Sequence, residues 1–232
     1  MRRSLCRRRT LRGIGPTLQN NGAPYPGRLE DPTLELHDAN SVIASNNDWK
    51  QNQAEVEATG IPPTHDKESA IVRTLAPGQY TVILRGNNNT TGTAVVEIYD
   101  LDPAGASELA NLSSRGLVGI GDNILIGGFF TGPQTASHTK VVVRAIGPSV
   151  KNQLPNALDD PTLELRDSFG VVKAANDNWK ETQEAEIQAT GLAPTNDAES
   201  ALVETLTPGN YTAIVRGKNQ TGIGVVEIYH IP

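Results

Sequence analysis

The oxygen-bearing side chains Asp31, Asp38 and Asn46-Asn47-Asp48 recur later in the chain as Asp160, Asp167 and Asn176-Asp177-Asn178. Hard oxygen donors of this kind suit calcium, which takes about six to eight of them. Asp31, Asp38, Asn47, Asp48, Asp160, Asp167 and Asp177 are therefore the candidate calcium ligands. The same residue types also cap helices and close Asx turns. That simpler role competes for Asp48 and Asn178, which Gln51 and Glu181 follow at capping-box spacing. The only two tryptophans, Trp49 and Trp179, also hold equivalent positions. Each offers a stacking face for a sugar ring or, more simply, a large apolar ring to pack across the end of a core.

Other chemistry finds little support. His37 aligns with Arg166, His65 with Asn196 and His230 with Asp100, and His138 falls between the copies, so no histidine is duplicated. There is no His-x-x-x-His pair, and Cys6 is the only cysteine, which leaves zinc without a ligand set and rules out an intrachain disulfide. Neither a G-x-S-x-G elbow nor a phosphate-cradling G-x-x-x-x-G-K-[ST] loop is present. Gly119-Ile120-Gly121 has part of a dinucleotide-binding pattern but precedes a strand and reads as a turn. Glu97/Glu227 and Glu68/Glu199 persist in both copies and read as solvent-side residues of strands or turns. The chain reads as a non-enzyme.

The elements that would position these residues come from a duplication. DPTLELHD at 31–38 returns as DPTLELRD at 160–167, and TLAPGQYTVILRG at 74–86 as TLTPGNYTAIVRG at 205–217. VVEIY occurs at 95–99 and 225–229, and RGIGP at 12–16 is matched by RAIGP at 144–148. Internal self-similarity at this length governs the fold. Leu163-Glu164-Leu165-Arg166 alternates, which puts the leucines on one face, and pairs as a hairpin with 171–174 across Phe169-Gly170. In 211–216, Tyr211, Ala213 and Val215 share a face. A helix of two to three turns follows Asp48 or Asn178 and stops at Gly60 or Gly191. Segments 114–118 and 124–131 read as a further hairpin, which the first copy lacks. The first copy is thus expected to show a bare sheet edge, either an invitation to pairing with another chain or the mark of a truncated first domain.

Short alternating strands with 22 glycines and 15 prolines in the turns predict an all-β fold of two tandem jelly-roll-like β-sandwich domains, each with one short helix. A small barrel is the alternative. The expected divisions are a disordered basic leader at 1–9, a first repeat at 10–102 without its first hairpin, a linker at 103–110 and a second repeat at 111–232. Six of the 20 basic residues lie within the first twelve positions, so the other 14 face 26 acidic groups. An acidic body of this kind does not suit nucleic acid. No stretch approaches the length of a membrane span, and no apolar run follows the basic start as in a signal peptide.

The ordered motifs R-A-I-G-P, D-P-T-L-E-L-x-D, N-D-N-W, T-G-L-A-P, L-x-P-G-x-Y-T-A-I-V-x-G and T-G-x-G-V-V-E-I-Y together resemble an uncharacterised tandem repeat of large secreted or cell-surface bacterial proteins. More distantly, D-P-T-L-E-L-x-D, N-D-x-W and P-G-x-Y are similar to the bacterial pre-peptidase C-terminal domain, a β-sandwich attached to secreted exoenzymes. The latter resemblance implies calcium ligands at Asp160, Asp167 and Asp177, and at Asp31, Asp38 and Asp48 or Asn47. Together they imply an extracellular or cell-surface, non-catalytic structural or adhesive module. Its partners would be other copies of itself or neighbouring repeats of a larger surface protein. A carbohydrate- or matrix-binding accessory module of a secreted exoenzyme is the alternative.

Overall fold

The structure, a computed structural model, describes residues 6–102, 110–132 and 138–231. The chain divides into two units, Met1–Glu108 and Leu109–Pro232.

In the first unit the elements in chain order are β1 (Arg7–Ile14), β2 (Gln19–Asn20), β3 (Ala23–Pro24), β4 (Pro32–His37), β5 (Val42–Asn46), α1 (Gln53–Glu57), β6 (Ser69–Leu75), β7 (Thr81–Gly86) and β8 (Val95–Asp100). The second contains β9 (Asn111–Val118), β10 (Leu125–Thr131), β11 (Thr139–Ile146), β12 (Pro161–Asp167), β13 (Val172–Asn176), α2 (Glu184–Ala189), β14 (Ser200–Leu206), β15 (Gly209–Gly217) and β16 (Gly222–Ile231).

The second unit consists of two four-stranded antiparallel sheets, ordered β14-β11-β16-β9 and β10-β15-β12-β13. Every connection passes from one sheet to the other except β12 to β13, which is a hairpin. This is the eight-stranded jelly roll. The first unit keeps six of the strands in the same arrangement, β6-β1-β8 against β5-β4-β7. The jelly-roll-like sandwich expected from the sequence is therefore what forms.

The alternating leucines determine which way each strand faces. Leu34 and Leu36 are fully buried in the first unit, as are Leu163 and Leu165 in the second. Between the sheets of the second unit they meet Val143, Leu202, Ala213, Val215, Val226 and Ile228. Each such side chain contributes about 1.5–3 kcal/mol when taken out of water.

A second, smaller core lies outside this one. Trp179, Ile187 of α2, Val142, Ala201 and Val203 pack together, and Trp49, Val56, Ala70 and Val72 do the same in the first unit. Val142 alternates with Val141 and Val143, which belong to the inter-sheet core, so this cluster covers the opposite face of β11.

Three expectations need correction. Arg7, Arg8 and Arg9 are not part of a disordered leader, because they pair with Leu75, Thr74 and Arg73 in β1. Asp100, on the neighbouring strand, accepts ion pairs from both Arg7 (3.4 Å) and Arg9, which removes the repulsion that an arginine run would otherwise suffer. Residues 1–5, and 103–109 of the expected linker, lie outside the described residues.

The helices are also shorter than expected. Trp49–Asn52 forms a 3-10 turn before α1, and neither Asp48 nor the residues preceding α1 and α2 donate a side-chain cap. Backbone bonds from Gln51 N–H to Asp48 O (3.0 Å) and Glu181 N–H to Asn178 O (2.9 Å) hold the bend instead. Gly60 and Gly191 do end the segments, with φ of +76° and +70°.

Finally, β9 and β10 are strands but not a hairpin. β9 pairs with β16 and β10 with β15, in opposite sheets, so residues 119–124 make an arch that spans the sandwich. Its inward positions carry Leu112 and Val118 from β9, and Leu125 and Phe129 from β10.

Candidate functional site

The acidic residues singled out by the sequence fall at the two ends of a strand. Asp38 and Asp167 close turns after β4 and β12. Asp38 Oδ1 accepts the N–H groups of Asn40 and Ser41 (both 2.8 Å), and Asp167 Oδ1 those of Phe169 (2.9 Å) and Val171 (3.0 Å). The backbone donors of Asn40 and then Ser41 hold the Asp38 carboxyl below its usual range. Asp31 and Asp160 precede the same strands, roughly 20 Å away at ~3.3 Å per residue. The two ends cannot share an ion.

At the near end, Lys218 Nζ lies 3.5 Å from Asp160 and 2.5 Å from Asp177, and its hydrogen bond to Asp177 raises the lysine pKa. In the first unit Asn87 replaces that lysine and donates to Asp31 Oδ2 (3.3 Å), while Lys67 stands 3.8 Å off. Asn47 donates to Asp48 Oδ2 at 3.1 Å. Asp31 Oδ1, Asn47 Oδ1, Asp160 Oδ1 and Asp177 Oδ1 are buried without a hydrogen bond, a polarity that calls for a positive charge, and Lys218 supplies one in the second unit. Among the described residues no group of three or more His, Cys, Asp or Glu is placed to hold a metal ion.

Other duplicated polar groups are spent on internal clamps. Arg144 Nε donates to Glu227 (2.8 Å), its Nη1 to Leu192 O (2.7 Å) and its Nη2 to the Tyr229 hydroxyl (3.1 Å). Arg12 repeats this with Glu97 (2.7 Å), Ile61 O (3.0 Å) and Tyr99 (3.2 Å). Each guanidinium also stacks 5.1 Å from its tyrosine ring. The clamp ties the segment after the helix to the sheet. Burial, and then the neighbouring glutamate, raise the pKa of Tyr99 and Tyr229.

Glu68 and Glu199, expected on the solvent side, are fully buried. Glu199 Oε1 accepts from Gly147 N–H (3.1 Å), Ser149 N–H (2.9 Å) and Ser149 Oγ (2.6 Å). Glu68 Oε1 accepts from Thr17 N–H (3.0 Å) and Oγ1 (2.5 Å). The I-G-P turn needs an acceptor for its free amides, and the glutamate supplies it. The signal was available in the sequence, because the glutamate and the turn it binds recur together.

Of the two positions open to the tryptophans, a stacking face or a ring packed at the core, the structure shows the packed one. Trp49 and Trp179 are buried in the outer cores, with Nε1–H donating to His65 O (3.1 Å) and Asn196 O (3.2 Å). A shallow depression bordered by Thr162, Glu164, Asn176, Asp177, Glu181 and Arg216 has no aromatic side chain in its lining. His37 and His65 have separate local partners, Glu35 (3.1 Å) and the Lys67 N–H (3.3 Å).

What remains open is the first unit's edge. Among the described residues nothing pairs with the outer side of β7 or of β8, the strands equivalent to β15 and β16. Ile98 is 42% exposed, whereas Ile228, its equivalent, is 5% exposed. Val82 and Leu84 are half-buried, whereas Ala213 and Val215 are buried. The phenol of Tyr211 lies under Phe129 of the arch, ring centres 5.8 Å apart, and Tyr80 has no such cover among the described residues.

No protein-family model matches the chain, and no curated protein matches it by sequence. Among solved structures, the chain is similar to the pre-peptidase C-terminal domain of collagenase from Bacillus anthracis, at 14% identity and a TM-score of 0.32 over 51% of this chain and 88% of that one. It is also similar to the major capsid protein P2 of bacteriophage PM2, at 9% identity and a TM-score of 0.23 over 98% of this chain and 88% of the other. The Sulfolobus turreted icosahedral virus structure gives 14% and 0.26 over 99% and 83%. The jelly-roll architecture stands on its own strand order. No helix among the described residues is long and apolar enough to cross a membrane.

Proposed function

We propose that the chain is a non-catalytic structural or adhesive module of an extracellular bacterial protein, one that assembles by strand addition. The observation that carries this reading is the pair of bare strand edges, β7 and β8, with apolar side chains between them. Such edges are templates for another chain, and natural sheets ordinarily blunt them. The duplicated polar groups favour the same reading, since they are consumed in clamps and turns and do not converge on a cleft. The motif resemblance to repeats of surface proteins agrees with it.

Display of the chain on cells that lack it tests the proposal. Displaying cells should adhere to one another or to a surface, and Val96→Asp should weaken that adhesion. Saturable glycan binding that survives Val96→Asp would favour the accessory-module alternative, and turnover of a glycoside, ester or peptide would overturn both.

A further inference from the structure

The second unit shows what belongs on the first unit's open edges. We infer that β7 and β8 form a slot for a two-stranded β-arch of the kind this chain carries at 111–131, supplied by another segment of the same repeat type. The inference rests on the strand-addition reading and names its partner.

The slot walls are nearly the same in both units. Val96 and Ile98 stand where Val226 and Ile228 stand, and Tyr80, Val82 and Leu84 where Tyr211, Ala213 and Val215 stand. In the second unit these positions are buried, and Leu112, Leu125 and Phe129 of the arch pack against their cluster. The donor is not the folded second unit of another copy, because its arch is already paired on β15 and β16.

The pairing that exists predicts the register of the pairing proposed. Ser114 faces Val226 and Leu112 faces Ile228, so a donated arch would set those positions against Val96 and Ile98. Gly127 faces Ala213 and Phe129 faces Tyr211, so they would lie opposite Val82 and Tyr80. One position is a size filter. A Cβ on Gly127 would come within 3.1 Å of both methyls of Val226 and 3.2 Å of Ile228 Cδ1. The first unit offers the same valine and isoleucine, so a branched side chain at that position of the donor would press on them while glycine would not.

The test adds a synthetic peptide spanning residues 110–132 to the full chain and follows amide hydrogen exchange. Uptake at one peptide per chain should slow exchange at 80–84 and 95–99 by at least about tenfold, as edge amides become paired. A Gly127→Val peptide should give no protection. Val96→Asp in the chain should abolish uptake while exchange in β1 and β4 stays native. Should that variant unfold, the two peptides on the unaltered chain still decide. Absence of protection at β7 and β8, equal protection by the Gly127→Val peptide, or protection confined to 209–231 would each overturn the inference. These outcomes leave the cell-adhesion result untouched, so the two readings fail separately.

Discussion

Val96 and Val226 sit at the same point of corresponding strands, yet Val96 is 39% exposed and Val226 is fully buried. The difference is the arch, since Val226 faces Ser114 of β9 and among the described residues no strand pairs along Val96 on that side. Neighbouring Ile98 and Ile228 should therefore respond unequally to truncation. Ile228→Ala should destabilise its unit by about 2–5 kcal/mol, the usual range for a buried isoleucine. Ile98→Ala should cost about 1–2 kcal/mol, because much of the side chain is already wet. Urea unfolding of the two variants measures both; equal losses would mean that Ile98 is covered in solution.

Glu199 is expected to dominate the local stability of the turn at Gly147 to Ser149. Glu199→Ala leaves three donors without their acceptor, the buried Gly147 N–H among them, and should cost about 1–3 kcal/mol. Glu199→Gln keeps an acceptor oxygen and should cost less than half as much. Shifts in the denaturation midpoint separate the two, and an alanine variant as stable as the glutamine variant would contradict the clamp.

Trp49 and Trp179 should emit as buried indoles, with blue-shifted fluorescence that iodide quenches poorly. Trp179→Ala should lose about 3–5 kcal/mol through the cavity left beneath α2. Sugars should leave the emission unchanged; a saccharide-dependent shift would place a ring at the surface after all.

Lys218 makes a prediction about calcium. With an ammonium already between Asp160 and Asp177, melting in millimolar calcium and in chelator should give equal midpoints. Lys218→Met should lower the midpoint, because both carboxylates then face each other without compensation. A calcium-dependent rise in the unaltered chain would show an ion either displacing the lysine or seated at Asp31 and Asn47 of the first unit, and Lys218→Met separates the two.

Alkaline pH should weaken both units. Tyr99 and Tyr229 have pKa values raised in the fold above the ordinary tyrosine value of 10.0, with burial the largest cause. A raised folded value means that their stabilising contribution is complete below pH 10.0 and is lost as pH climbs through the folded pKa. Lys218 acts in the same direction above the ordinary lysine value of 10.5, through its hydrogen bond to Asp177. Tyr229→Phe should flatten part of the decline in stability above pH 10, measured by urea titration at successive pH values.

The alternation of Leu34 with Leu36 and of Leu163 with Leu165 made the sandwich legible in sequence, because a period of two has one buried face whatever the partner strand. The arch is hidden in the sequence for a related reason. Two adjacent strands with a glycine turn look like a hairpin, and only the crossing between sheets, a non-local property, sends β9 and β10 apart. Arg7 to Arg9 looked like a tail because their neutralising partner, Asp100, lies more than ninety residues away. Glu68 and Glu199 were read as surface groups by residue type, whereas their burial depends on a turn whose amides have no other acceptor. The acidic cluster looked like one site because sequence proximity conceals the length of an extended strand.

The arch precedes every other strand of its own sandwich, and this has a consequence for synthesis. When residues 111–131 leave the ribosome, β7 and β8 have already emerged, whereas β15 and β16 follow about 80 to 100 residues later. At ~5–20 residues per second that is a wait of roughly 4–20 s. For that time the edges of β15 and β16 do not yet exist, and the arch has no seat in its own sandwich. Lesions in β15 or β16 would then do more than loosen the later sandwich: they would leave two strands and their apolar side chains without a seat for the life of the chain.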